Sequence, residues 1–361
     1  MDPFFELLQM VALTREDFSA PVDEAQWRRL FSQAQAHSLL GVTFPAVKMM
    51  SGREGTTVPH DLLMLWWAAE EKIVQANDAI RQRTAALHTF FLDNGYRSCL
   101  LKGQSAAALY PQPLLRQSGD IDLWVEGDMQ KLVDFLRGRF PVKKVVYHHC
   151  DVTMLRGVKV EVHFTPTWMN SFRKDRRLQR WFASEAEAQF SHFDPALGCN
   201  VPTLRFNGVF LMVHLFRHVL EEGVGLRQFL DYHFLLTQLE AEDRAAVAAV
   251  LKDLGLLRFT RAAMYVLREV FATDEALLLC PPDPRGGAFL LQEVLRSGNF
   301  GHTDARNAHR EDEGLLAHSL RKLRRAAGLL FHYPSEVLSM PVFMLWQYLW
   351  RRRRGYLYKG R

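Results

Sequence analysis

Apolar residues recur at three- and four-residue spacing from Trp27 to Ser38 and from Asp61 to Leu92, so the first hundred residues read mainly as helix. Near Tyr96 the period changes. Cys99-Leu100-Leu101 is a short apolar run ended by Lys102-Gly103, and Gln104 to Tyr110 suits a short helix stopped by Pro111 and Pro113. Asp120 to Val125 then reads as a strand and Met129 to Arg139 as a helix. Lys143 to His149, Val152 to Leu155 and Lys159 to Phe164 read as short strands, with a tight turn at Arg156-Gly157. After Thr165-Pro166 the helical period returns, over Phe206 to Glu221, Arg227 to Glu240, Ala245 to Leu254 and Phe259 to Phe271. The expected fold is α+β: a small mixed β-sheet core with helices on it, preceded by N-terminal helices and followed by a larger helical region. Its expected boundaries are 1–95, 96–165 and 166–361. Pro281 to Gly287 reads as a loop and Ser297 to Gly314 as a polar excursion; no internal repeat or low-complexity tract is evident.

Composition narrows the class only slightly. With 361 residues, 48% hydrophobic and 24% charged, the chain is an ordinary globular protein able to bury at least one core. A formal charge of +5 is mildly basic, which fits an anionic ligand without amounting to a nucleic-acid footprint. Cys99, Cys150, Cys199 and Cys280 show no C-x-x-C spacing, which argues against a zinc knuckle or a disulfide framework and for a reducing cytoplasm. The opening Met1-Asp2-Pro3-Phe4-Phe5-Glu6 lacks the positive region of a signal peptide. No apolar run approaches the roughly 18 residues of a spanning helix, so a soluble protein is expected.

The chemistry concentrates in Ser118-Gly119-Asp120-Ile121-Asp122-Leu123-Trp124-Val125. Side chains two apart on a strand share a face, about 6.6 Å apart along it, so Asp120 and Asp122 face one point. Two carboxylates so placed oppose each other's ionisation unless a cation sits between them. Mg²⁺ commonly uses one or two protein carboxylates together with substrate phosphates, so the pair suits a nucleoside triphosphate. A third acidic ligand is available in Lys159-Val160-Glu161-Val162-His163-Phe164, where alternation puts Glu161 and His163 on one face. Upstream, Lys102-Gly103-Gln104-Ser105 lies between a buried strand and a helix start, a place for backbone N–H groups, an ammonium and a hydroxyl to meet an anion. Arg116 adds a guanidinium suited to phosphate; its alternative role is a salt bridge to Asp120 or Asp122.

The order strand, Lys-Gly, short helix, Arg, Gly-Asp-x-Asp and later strand Glu resembles the nucleotidyltransferase superfamily typified by DNA polymerase beta. Leu100-Leu101-Lys102-Gly103, Tyr110, Arg116 and Gly119-Asp120-Ile121-Asp122-Leu123 are most similar to an uncharacterised bacterial branch, nucleotidyltransferase family five. The motifs span residues 96 to 165. The resemblance implies metal-dependent transfer of an adenylyl or other nucleotidyl group from ATP or another NTP to a hydroxyl, with release of pyrophosphate. It implies Asp120, Asp122 and Glu161 as catalytic and metal ligands for Mg²⁺, or alternatively Mn²⁺, and Lys102, Gly103, Gln104, Ser105, Arg116 and Gly119 as donor-binding residues. The superfamily's usual Gly-Gly or Gly-Ser pair is here Gly103-Gln104, with Ser105 one place later. The acceptor, whether small molecule, protein or RNA, is not encoded in these motifs. Rival readings are a nucleotide-binding regulatory module without turnover, and a nucleic-acid-binding protein using Arg321-Lys322, Arg324-Arg325 and Arg351 to Arg354.

Other polar groupings carry less. His148-His149-Cys150-Asp151 has metal-ligand residue types, but neighbours on a strand point to opposite faces, so a turn-edge cluster is expected. His214 and His218, four apart on a helix, are expected to line the cleft or to be satisfied internally, without metal. Arg227 and Asp231, also four apart after a glycine turn, read as a helix-surface ion pair or as charges presented to the site. Trp66, Trp67, Phe90 and Phe91 read as core. Trp346 to Trp350 followed by Arg351 to Arg354 reads as a solvated helix end, with weak contact to an anionic surface as the alternative.

Overall fold

A computed structural model describes residues 2–53, 56–301 and 315–356. Four helices lead in: α1 (Pro3–Val11), α2 (Glu24–Ala36), α3 (Leu40–Ser51) and the 34-residue α4 (His60–Asp93). The start of α2 is fixed by a capping box, in which Asp23 accepts from the Gln26 N–H and the Gln26 side chain accepts from the Asp23 N–H. The core follows as β1 (Ser98–Leu100), α5 (Gln104–Ala107), β2 (Asp120–Val125), α6 (Met129–Arg137), β3 (Val142–Val145), β4 (His149–Leu155) and β5 (Val158–His163). These strands form one sheet in the order β1-β2-β5-β4-β3, in which only the β2–β5 pair is parallel. The rest of the chain is α7 (Phe172–Ser191), a hairpin of β6 (Phe193–Asp194) and β7 (Cys199–Asn200), α8 (Leu204–Glu221), α9 (Leu226–Gln238), α10 (Ala241–Asp253), α11 (Leu257–Phe271), α12 (Pro284–Ser297), α13 (Leu315–Ala327) and α14 (Pro334–Arg353). The α+β architecture read from the periodicity is the one observed.

The two faces of the sheet have different surroundings. On the back, Ile121, Leu123, Val125, Val160 and Val162 pack with Leu132, Val133 and Leu136 of α6 and Ile80, Leu87 and Phe91 of α4. On the front, Trp124 stacks on Phe206 of α8 at 5.9 Å and meets Phe190 of α7 at 4.6 Å. Through Cys99, Leu101 and Trp124 that face joins an apolar cluster running from Phe4 to Met340, so helices from both ends of the chain share one interior. Among the described residues, no helix is long and apolar enough to cross a membrane.

Several local readings are corrected. The turn expected after His149 lies instead at Tyr147-His148, where the Val146 N–H donates to the His149 carbonyl, and His149 opens β4. The loop expected over Pro281 to Gly287 becomes helix at Pro284: Asp283 caps it through the Arg285 N–H, and Pro occupies its first turn, where no donor is missed. Gly287 is required there, because a Cβ would lie 2.2 Å from Cβ of Tyr265 on α11. Trp66 is fully buried while Trp67 is 46% exposed, since adjacent residues on a helix face different directions; Phe91 is buried, and Phe90, half-buried, packs against the same core. Helices α1, α3 and α7 fall in the regions read as helical, outside the stretches whose period marks them; α3 carries Pro45 inside it and α7 opens on a highly charged stretch. Residues 302–314 of the expected polar excursion lie outside the described residues. At the other end of α14, Trp346 packs on Tyr147 and Phe172, and the Arg354 guanidinium lies over Trp350.

Two buried histidines tie α1 and α9 into this interior. His37 accepts the Leu226 N–H through Nδ1 at 3.2 Å and stacks on Phe4; His233 pairs through Nδ1 with Thr273 Oγ1 at 2.8 Å and through Nε2 with the Ala12 carbonyl at 3.1 Å. Burial lowers both to about 4, from the ordinary 6.5. Between those values the unfolded chain binds the protons first. The stability these residues contribute is therefore full above pH 6.5 and is lost as pH falls toward 4. At pH 5 the loss should be about 2 kcal/mol per residue. Urea unfolding at pH 7 and pH 5 should show it, and the His37→Asn/His233→Gln variant should show a flatter dependence, whatever its stability at pH 7.

Candidate active site

Strand register assembles the polar face. In the parallel β2–β5 pair Asp122 lies opposite Glu161 and Asp120 opposite Lys159; in the antiparallel β4–β5 pair Asp151 lies opposite Glu161 and His149 opposite His163. Because side chains alternate, all of these project from the front face. Asp120, Asp122 and Glu161 each offer a carboxylate oxygen, and the three lie within 4.8 Å of one another. Asp122 is fully buried, and its Oδ2 has no hydrogen-bond partner among the described residues. An oxygen-only donor set with a buried, unpartnered oxygen fits a hard dication such as Mg²⁺. Asp122 and burial together raise the carboxyl of Asp120, the penalty expected of like charges side by side.

Basic side chains interleave with these acids. Lys102 Nζ lies 2.9 Å and His163 Nε2 3.0 Å from Asp122 Oδ1, while Lys159 pairs with Glu161 Oε1. Burial opposes the charge on Lys102, but Asp122, Asp120 and Glu161 overcome it and raise its pKa. Burial likewise opposes the imidazolium of His163, yet its hydrogen bonds to Asp122 and Glu161 push it up to about 9. Burial also disfavours ionised Glu161, and His163, His149 and Lys102 outweigh it, holding that carboxyl far below its ordinary range.

The residues expected to bind the donor sit on the turn and helix start after β1 and on the loop into β2. Gly103 turns β1 into α5 with φ +66°, where an L side chain would be strained, and an added Cβ would stand 3.3 Å from the Asp120 carbonyl. Ser105 is buried with its Oγ unpartnered among the described residues. Gly119 faces open space. Gln104 is directed elsewhere: its amide donates to Asn77 Oδ1 on α4 at 3.0 Å. Asn77 also donates to the carbonyls of Leu114 and Arg116, and its Oδ1 accepts the Ser118 N–H at 3.3 Å. One buried amide thus holds both the Gly103 turn and the loop into β2. A lone Asn on the inner side of a long helix was the sequence signal for it.

Arg116 is also directed away from the carboxylates of β2. Its Nε and Nη2 grip Asp231 of α9 at 2.9 and 2.6 Å, and Tyr110 Oη donates to the same carboxylate at 2.7 Å. The surface pair expected between Arg227 and Asp231 is replaced by this buried network, while Arg227 donates to the Gln117 carbonyl. The reason is tertiary: α9 packs Asp231 inward, where the buried Arg116 guanidinium and Tyr110 hydroxyl meet it. His214 and His218 pair through their Nε2 atoms at 2.9 Å; burial, then Lys102, lowers His214, so α8 lines the same polar region. His149, expected at a turn edge, is drawn into the site, with Nε2 3.1 Å from Asp151 Oδ1 and 3.7 Å from Glu161 Oε2.

A small mixed sheet presenting three acids on one face, backed by a glycine turn and enclosed by helices, defines a nucleotidyltransferase-type core. Residues 23–272 match the model of a family described as uncharacterised nucleotidyltransferase, and the chain belongs to that family. The match runs from just before α2 to just beyond α11, well past the residues that carry the motifs. No curated protein and no solved structure matches the chain.

The Arg116–Asp231 pair gives a stability test. Asp231→Ala leaves a buried guanidinium without its carboxylate and should cost about 3–5 kcal/mol in urea unfolding. The Arg116→Met/Asp231→Leu double variant should recover much of that loss, because it removes both charges together.

Proposed function

We propose that this chain transfers a nucleoside monophosphate from an NTP to an acceptor hydroxyl, with release of pyrophosphate. The observation that carries the reading is the meeting of Asp120, Asp122 and Glu161 within 4.8 Å on one sheet face. It is supported by membership in a nucleotidyltransferase family. Asp120, Asp122 and Glu161 would hold Mg²⁺ or Mn²⁺, which when bound supplies positive charge against the triphosphate. Gly103, Ser105 and Gly119 receive the phosphates: the first by its backbone, the second by its unpartnered hydroxyl, the third by leaving open space. Lys102, bonded to Asp122, keeps an ammonium between carboxylate and phosphate positions. Gln104 and Arg116 act by position, fixing the turn and the loop from α4 and α9.

Glu161, held strongly ionised, suits a ligand better than a proton acceptor. In this reading residues 96–165 handle the donor, and the helices of 1–95 and 166–361 frame the acceptor, with His214 of α8 within electrostatic reach of Lys102 and Glu161. The test is transfer of α-phosphorus label from each of the four common NTPs, in the presence of a cell extract as acceptor source, with pyrophosphate release measured in parallel. Asp120→Asn/Asp122→Asn should lower transfer by at least ~10²-fold. Undiminished transfer by that variant would overturn the assignment, and NTP binding without transfer to any acceptor would identify a regulatory module instead.

A further inference from the structure

We propose that His149, Glu161 and His163 form a second cation site, selective for a transition-metal dication such as Zn²⁺ or Co²⁺, beside the acidic triad and sharing Glu161 with it. All three side chains are buried, and one ligand atom from each lies within 4.8 Å of the others. Glu161 Oε2 is 3.4 Å from His163 Nε2 and 3.7 Å from His149 Nε2. Ligands bound at 2.0–2.1 Å in a tetrahedral shell stand about 3.3 Å from each other, so these separations are close to those of a loaded site. Asp151 Oδ1, 3.1 Å from His149 Nε2, is a further oxygen on the same face.

The donor atoms decide the class of ion. Two imidazole nitrogens and a carboxylate suit Zn²⁺ or Co²⁺, whereas Mg²⁺ prefers oxygen and gives up its water reluctantly. His149 is also oriented as a ligand is. His149 Nδ1 lies 2.6 Å from His148 Nε2, and His148 is stacked on Trp168 with ring centroids 3.6 Å apart. With the proton on His149 Nδ1 donated to His148, the His149 Nε2 lone pair faces Glu161, which is the arrangement an outer hydrogen bond imposes on a metal-bound histidine. The parallel and antiparallel registers that meet at β5 place both histidines on the face of Glu161. This site stands or falls on metal binding, whatever becomes of nucleotidyl transfer.

The experiment uses the full chain stripped with a chelator and titrated with Co²⁺, read by visible absorption. One Co²⁺ per chain should give the intense bands of a low-coordinate, nitrogen-containing site, displaced by Zn²⁺ and retained in millimolar Mg²⁺. His149→Gln and His163→Gln should each weaken binding by about a hundredfold or more, beyond the roughly 10–100-fold that loss of an outer partner costs. Asp120→Asn and His214→Gln should keep the bands. Displacement of Co²⁺ by Mg²⁺, or bands that persist in both histidine variants and vanish in Asp120→Asn, would overturn the proposal. If either histidine variant fails to fold by circular dichroism, X-ray absorption at the zinc edge of the wild-type chain loaded with one Zn²⁺ decides: scattering from coordinated imidazole is expected, and its absence overturns the site.

Discussion

The parallel pairing of β2 with β5 is the constraint on which the rest of this structure depends. Asp122 opposite Glu161 is one register among several the two strands could adopt, and a slip of one residue would turn Val160 and Val162 to the polar front and Glu161 and His163 into the apolar back. The register is enforced from behind. Ile121, Leu123, Val125, Val160 and Val162 fill the space against α4 and α6, and the observed alignment buries all of them while leaving the acids on the other side.

That alignment concentrates negative charge where the sheet is covered by helices, and the protein answers with three cations from two directions. Lys102 arrives from the turn after β1, Lys159 and His163 from β5 itself. Each is held charged by the carboxylates against the cost of burial. The same logic operates farther out, where Arg116 meets Asp231 and Tyr110 in the interior between the core and α9. Polar networks of this sort link the sheet to the helices more specifically than apolar packing does, since a displaced partner leaves a buried charge exposed to its own desolvation cost. The site and the helical frame are in this sense one electrostatic unit.

Much of the core could be read in advance because its signals are local. Asp120 to Val125 was expected as a strand with the bounds it has, and Glu161 was placed on the face it occupies from alternation alone. Fold class followed from the switch between helical and strand periods. What escaped was non-local: the side chain of Asn77, lying 27 residues before Gln104, holds two segments together, and Asp231, 115 residues after Arg116, takes its guanidinium. His149 was discounted because its sequence neighbours point to opposite faces, an argument that holds within a strand and says nothing about the strand beside it.

By itself, the sequence determined which residues could carry chemistry and which face of each strand would carry it, because period and residue type are properties of short stretches of chain. Only the tertiary structure decided which of those residues meet. Strand order brought Glu161 to Asp122 and His149 to His163, and helix packing drew Arg116 and Gln104 to α9 and α4. The physical reason is that pairing across a sheet and burial of charge between helices depend on partners distant in sequence, whose selection is made by the packing of the whole interior.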